Sequence, residues 1–359
     1  MRTGTASLPL HGGHAPPWLF HRMKRLARCI AELIAEEQGP RELLVRLSEP
    51  SWFQAFGCVL GFDWHSSGVT TTACGALKEG LKGAEKDLGL FVAGGKGAVS
   101  RRTPDEIIAH AEKGAPVSPE PLVYASRMSA KVDSTAVQDG FQLYHHVFVF
   151  TNDGSWAVIQ QGMNDKTKRA RRYHWLSDNL KSFVREPHAA VCSEPNPVMT
   201  LNMVADEAEA CRDISAQLAH ESPEKLAREI ERMQELILPR HHQLLVSDLR
   251  PESLPRILEK AYERQPANFQ ELLEVRGVGP KGIRALALIA DLVYGAKASV
   301  RDPAKFAFAH GGKDGTPFPV DRETYDRSTE ILRKAISRAK LGQTEQTEAL
   351  KRLAKFYRR

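Results

Sequence analysis

Cysteine is scarce in this 359-residue chain, and its spacing suits neither metal nor disulfide chemistry. Cys29, Cys58, Cys74, Cys192 and Cys211 are odd in number and form no C-x-x-C pair. That argues against a zinc knuckle or a disulfide framework and points to a reducing, cytoplasmic setting. No apolar run approaches the roughly 20 residues that span a bilayer, so no membrane partner is expected. The opening residues MRTGTASLPLHGG hold no continuous apolar segment, and no secretory signal is expected there. Internal repeats and low-complexity runs are absent. The loop Gly94-Gly95-Lys96-Gly97 lacks the phosphate-loop pattern twice over. Leu90 stands where the first glycine belongs and Gly97 where Ser or Thr belongs, so no ATP site is expected.

What is present is a mildly basic globular composition. The net charge is +6 and 42% of residues are hydrophobic. The charge is compatible with a nucleic-acid partner, and the length allows more than one core. Apolar spacing predicts helices over 17–38 and 41–48, from Pro50 to about Leu60, near 70–82 and over 104–113. Residues 88–99 read as a short strand and a Gly-rich loop, and Gly114 to Pro121 as a seam. The clearest strands are FQLYHHVFVF (141–150) and SWAVIQQGM (155–163), joined by Asn152-Asp153-Gly154. A helix is expected near 176–184, a helical pattern over about 200–245, and mostly helix after 252.

The fold class is therefore α+β, predominantly α-helical, with a small antiparallel sheet in the middle. The expected regions are 1–120, mainly helical; 121–200, carrying the hairpin; 201–265, a helical connector; and 266–359, a helical C-terminal domain.

The most specific segment is LLEVRGVGPKGIRALALIADLV, residues 272–293. Leu272, Leu273 and Val275 mark one short helix, started by Asn268 and Glu271 in a capping-box pattern. Gly277, Val278 and Gly279 make a turn, and Pro280 suits the first position of the next helix. The amides of that helix start, with Arg276, Lys281 and Arg284 around them, suit a phosphate oxygen. This segment resembles the helix-hairpin-helix family of DNA-binding motifs, departing from it at Ile283, where a small residue is usual. The resemblance implies DNA as partner, held by its backbone without sequence preference and with strong salt dependence.

Chemistry-bearing residues are densest over 131–175. Asp133 and Asp139 precede the first strand, and two converging aspartates suit Mg²⁺ or Mn²⁺. His145 and His146 alternate across that strand, with Gln160 and Gln161 on its partner. His145 and Gln161 are taken as supporting residues, the histidine to orient or deprotonate water. Lys166, Lys168, Arg169, Arg171 and Arg172 put five cations in seven residues beside Tyr173, His174 and Trp175, a run suited to gripping a strand. The expected activity is a divalent-metal-dependent nuclease, with Asp133 and Asp139 as ligands.

Two alternatives stay open. Glycosylase/lyases of the helix-hairpin-helix superfamily place a lysine where Lys281 stands and an aspartate in a Val-Asp pair such as Val320-Asp321. Here the 40-residue separation is about twice the usual one. A Schiff base on Lys281 assisted by Asp321 is the chemistry implied. The other alternative is a non-catalytic DNA-binding module. An assembly of identical chains is left open. Further histidines, His11, His14, His65, His241 and His242, are weaker ligand candidates. Nearly end to end, through LGFDWHSSGVTTTACGAL, AVQDGFQLYHH, WAVIQQGMN, LPRHH and AHGGKDGTPFPVDRETYD, the chain resembles the family known as domain of unknown function 763. That likeness implies little chemistry.

Overall fold

A computed structural model describes residues 15–61, 67–178, 180–192, 200–236, 249–304, 322–338 and 342–357. Proline opens the first turn of α1 (Pro17–Gln38), α2 (Pro40–Ser48) and α3 (Pro50–Leu60). At that position its missing N–H has no intrahelical partner to lose, and its fixed φ is already helical. Helices α4 (Gly68–Leu81) and α5 (Glu85–Leu88) lead into strand β1 (Leu90–Lys96). Two more helices, α6 (Ala98–Arg101) and α7 (Thr103–Glu112), precede α8 (Pro119–Lys131). The last turn of α8 widens into a π-helical turn, Val132–Ala136, before the two-residue strand β2 (Val137–Gln138).

The centre of the molecule is an antiparallel sheet of β1, β3 (Gln142–Thr151), β4 (Trp156–Asn164), β5 (Arg169–Leu176) and β6 (Ala190–Cys192), in the order β1-β3-β4-β5-β6. The β3–β4 turn forms at the expected residues. Gly154 takes φ +81°, and the Asp153 carboxylate accepts from the Thr151 hydroxyl and the Ser155 amide. Strand β2 pairs with β7 (Leu201–Asn202), and Ser299 bridges to Asn202.

Strand alternation divides the sheet between two cores. Val147, Val149, Ala157 and Ile159 face a core made with α1 to α4 and with Ile331, Leu332 and Leu353 from the C-terminal helices. Phe148, Phe150, Val158, Tyr173 and Trp175 face a second core. Its other wall is α7, α8, α9 (Glu209–Leu218), α10 (Pro223–Gln234) and the helices Leu254–Arg264, Phe269–Glu274 and Pro280–Tyr294. Each fully buried ring in these layers contributes on the order of 2–3 kcal/mol.

The α+β class, predominantly helical, with a small antiparallel sheet, is what the structure has. Several local expectations need correction. Segment 266–359 does not pack as one unit: residues 269–296 join the second core, while Ile331 to Leu353 join the first. The run 166–175, to which the sequence assigned no element, becomes strand β5 from Arg169, hydrogen-bonded to β4 and β6 on its two edges. Consequently no helix forms among the described residues of 176–184. The seam at 114–121 is closed, because Ala115 is buried in the second core and α8 already starts at Pro119. Leu201–Asn202 is strand rather than helix. Among the described residues no helix is long and apolar enough to cross a membrane.

Candidate functional site

The π-turn decides where Asp133 points. By inserting an extra residue into the helical repeat it turns the side chain onto the sheet face of the second core, where Asp133 is fully buried. Its Oδ2 accepts from Gln160 Nε2 at 2.6 Å and from the Trp175 indole at 2.9 Å; Oδ1 lies 2.5 Å from His188 Nε2. Burial pushes this carboxyl above its usual range, and His188 and Trp175 pull it partly back.

Gln160 extends the network. With its amide nitrogen committed to Asp133, its Oε1 is the acceptor for His146 Nδ1 at 3.0 Å. That assigns the proton of a neutral imidazole to Nδ1 and leaves the Nε2 lone pair to accept from the Ser126 hydroxyl, 2.9 Å away. Burial lowers His146 to about 4, so the ring is neutral at pH 7. The order is thus Ser126, His146, Gln160, Asp133, His188, running from α8 across β3 and β4. Gly94 makes the close packing around this strand possible: a Cβ there would meet the His146 carbonyl at 2.2 Å and the Thr103 hydroxyl at 2.5 Å. Gly94 also takes φ +92°, and its amide donates to Glu106.

Ser126 and His146 border a cavity of about 400 Å³ between α8, the start of α7 and β3. Arg101, Arg127 and Lys131 are at its rim. Among the described residues neither Arg101 nor Arg127 forms an ion pair, and both are exposed. Lys131 is half-buried, and burial lowers its pKa. The lining therefore combines three cations with hydroxyls, a neutral imidazole and the apolar Pro104, Ala130 and Leu143, and the cations are what favour an anion.

Asp139 belongs to a separate cluster. Its Oδ2 accepts from Arg171 Nη1 and from the Tyr173 hydroxyl, each at 2.7 Å, and Oδ1 accepts from the Phe141 amide at 3.1 Å. Arg171 is 0% exposed and also reaches Asp302 at 2.8 Å. Burial pulls the guanidinium down, but Asp139, Tyr173 and Asp302 more than offset that and hold it above its usual value. The Asp133 and Asp139 carboxylates thus share the sheet face but not a site. Each is enclosed by donors, and one of those donors is itself a cation, so the pair does not fit a divalent ion. Among the described residues no group of three or more His, Cys, Asp or Glu side chains is placed to hold a metal.

His145 and Gln161 face the opposite core, one residue out of phase with His146 and Gln160. Gln161 is occupied by Thr70, Tyr144 and the Ser67 carbonyl. His145 is buried with neither ring nitrogen hydrogen-bonded, and burial lowers it to about 3. Arg172 is 0% exposed, held by Gln54 and Thr70 with its guanidinium 4.5 Å from the centre of the Phe53 ring. Burial lowers it to about 10. Arg171 and Arg172 therefore cannot grip a ligand from solvent as placed here. Lys168 is exposed at the β4–β5 turn, and Arg169 is half-buried.

The Gly hairpin is built as its residues imply. Asn268 caps the helix Phe269–Glu274 by accepting from the Glu271 amide at 2.9 Å, and Glu271 accepts from the Ala267 amide. Gly277 takes φ +106°, Val278 is buried between the helices, and Gly279 precedes the helix Pro280–Tyr294. No side chain caps that helix, and the space a Cβ of Gly279 would enter is open. Arg276 and Lys281 are exposed; Arg284 is half-buried and donates to Gln138. Lys131 ties the hairpin to the cavity, since it donates to the Val278 carbonyl while lining the cavity wall. Gln138 adds a bond to the Pro280 carbonyl at 2.8 Å.

Sequence reasoning missed Ser126, His146, Gln160 and His188 as a group. The parity of the strands was the available signal: Asp133 meets whichever His and Gln share its face. Asp321, His11, His14, His65, His241 and His242 lie outside the described residues. A family model described as Protein of unknown function (DUF763) matches residues 4–320. No curated protein and no solved structure matches the chain.

Proposed function

We propose, for a chain that belongs to the DUF763 family of proteins of unknown function, a DNA-binding protein that holds the phosphate backbone without sequence preference and acts on it. The observation that carries this reading is the adjacency of hairpin and cavity through Lys131. The uncapped helix start after Gly279, with Arg276 and Lys281 exposed beside it, suits one phosphate. The cavity, ringed by Arg101, Arg127 and Lys131, suits another. Both read charge and backbone shape rather than base edges.

The activity that this arrangement supports is nucleolytic, cleavage of a phosphodiester. Asp133 and Asp139 are enclosed separately, so a divalent ion shared by that pair has no part in the proposed cleavage. Lys281 is exposed at the first turn of its helix, which supports a phosphate contact over a Schiff-base nucleophile. Fluorescence anisotropy with unrelated 30-mer duplexes tests the binding: similar affinities that fall steeply with salt are expected, whereas salt-insensitive or sequence-selective binding refutes the reading. A gel assay with the same duplexes, with and without Mn²⁺ and after chelation, tests cleavage.

A further inference from the structure

The buried polar chain on the second sheet face has the connectivity of an activated nucleophile, not only of a satisfied core. We infer that Ser126 is a nucleophile for phosphodiester transfer, deprotonated by His146, with Gln160 positioning the imidazole. This deepens the nucleolytic reading of the cavity, and rests on its choice of a phosphate substrate, but is independent of whether the hairpin binds DNA.

Three observations converge. First, the hydroxyl and base are in contact, Ser126 Oγ to His146 Nε2 at 2.9 Å, and the hydrogen-bond order fixes the accepting nitrogen toward the serine. Second, the base is oriented from behind. Gln160 holds Nδ1–H, and the amide is itself polarised by Asp133, whose other oxygen meets His188. The role matches that of the third member of a catalytic triad, with an amide as the orienting group. Third, the serine and histidine border a cavity whose mouth carries Arg101, Arg127 and Lys131. An ester or peptide carbonyl needs no such cations; two non-bridging phosphate oxygens do. His146 is neutral at pH 7, so its Nε2 lone pair is free to accept, although the burial that keeps it neutral also weakens it as a base.

The chemistry balances with water as the only co-substrate. Ser126 Oγ gives its proton to His146 Nε2 as the Oγ–P bond forms. The P–O bond to the leaving group breaks, its electron pair stays on the leaving oxygen, and that oxygen takes the proton from His146. Water then enters in the same way: His146 takes its proton, the new O–P bond forms, and the P–Oγ bond breaks. Ser126 recovers its proton from His146. The net reaction is phosphodiester plus water giving phosphomonoester plus alcohol.

The test uses the full chain and bis(p-nitrophenyl) phosphate, which needs no DNA binding. Wild-type protein is expected to release p-nitrophenolate. S126A and H146A are expected to lose roughly 100-fold or more of that rate. Gln160→Ala is expected to lower kcat roughly 10-fold at unchanged KM, with Gln160→Glu, which keeps an acceptor for Nδ1 but faces Asp133 as a second carboxyl, restoring part of it at acid pH, where one carboxyl of the pair holds a proton. Acid-quenched wild-type protein should carry the aryl phosphate on Ser126 of the tryptic peptide 114–127, assigned by fragment-ion sequencing that separates it from Ser118 and Tyr124 in the same peptide. That mapping decides the matter even if S126A fails to fold. Release unchanged in S126A, an adduct on another residue, or neither release nor adduct with wild-type protein overturns the proposal. Anisotropy on the same preparations separates the two readings. Hydrolysis through Ser126 without DNA binding sinks the hairpin reading alone; DNA binding without hydrolysis or adduct sinks the serine alone.

Discussion

Two cation-rich segments of this chain end in opposite surroundings. The run Lys166–Arg172 looks the more basic, yet its last two arginines are buried to 0% exposure. The hairpin carries fewer cations, and Arg276 and Lys281 stand in solvent. The difference comes from backbone pairing. Strand β5 is hydrogen-bonded on both edges, so alternate side chains must enter one core or the other. Arg171 enters beside Asp139 and Asp302, and Arg172 beside Gln54, Thr70 and Phe53. The hairpin presents a helix start instead, where the backbone itself needs an acceptor. Cation density along a sequence therefore says little about what the cations meet.

The largest effect that sharpens this contrast belongs to Arg171. Replacing it with Met leaves Asp139 buried without its cation and is expected to cost about 3–5 kcal/mol by urea denaturation. A loss below about 1 kcal/mol would mean that the pair is not buried as described.

Next comes pH. In the unfolded chain both His145 and His146 titrate near 6.5; folded, they are held near about 3 and about 4. Above pH 6.5 both states are neutral and these groups leave stability unchanged. Below it the unfolded chain binds protons that the folded chain does not, so stability falls from pH 6.5 down toward about 4. The pair is expected to cost about 2–3 kcal/mol between pH 7 and pH 5.5, and buried His174 acts in the same direction. Denaturation midpoints across that window, compared with His145→Gln, provide the measurement. An unchanged midpoint at pH 5.5 would contradict the burial.

Smaller in free energy, but decisive for the hairpin, is Lys281→Ala. DNA affinity should drop about 10-fold and the salt slope by about one, with the thermal midpoint unchanged. Gly279→Ala probes the open space above the turn. Gly279 has an ordinary negative φ, so the fold should tolerate the methyl within about 0.5 kcal/mol while backbone binding weakens. The smallest effect is expected for Lys168→Ala, at the exposed turn before β5, with stability within about 0.5 kcal/mol of wild type. A large DNA-binding loss there would restore the basic run as a second grip.

Much of the architecture was legible locally. Proline and glycine positions marked the start of α3, the β3–β4 turn and the hairpin, because their φ preferences act within a few residues. The candidate site was less legible. Asp133 was readable as chemistry-bearing, but the π-turn that aims it has no simple sequence signature. The pairing of Asp133 with Gln160 rather than Gln161 is a matter of strand parity, and parity depends on which face α8 covers. Ser126 gave no signal at all, sitting as one hydroxyl in an amphipathic helix.

By itself, then, the chain determined its helix starts, its turns, the hairpin with its exposed lysine, and the alternation of its central strands. Only the tertiary structure decided which histidine and glutamine joined Asp133, that Asp139 was claimed by Arg171, and that two arginines of a basic run left solvent. The physical reason is range. Backbone preference and periodicity operate over a few residues, whereas burial and hydrogen-bond partnership depend on elements brought together from 20 to 150 residues apart.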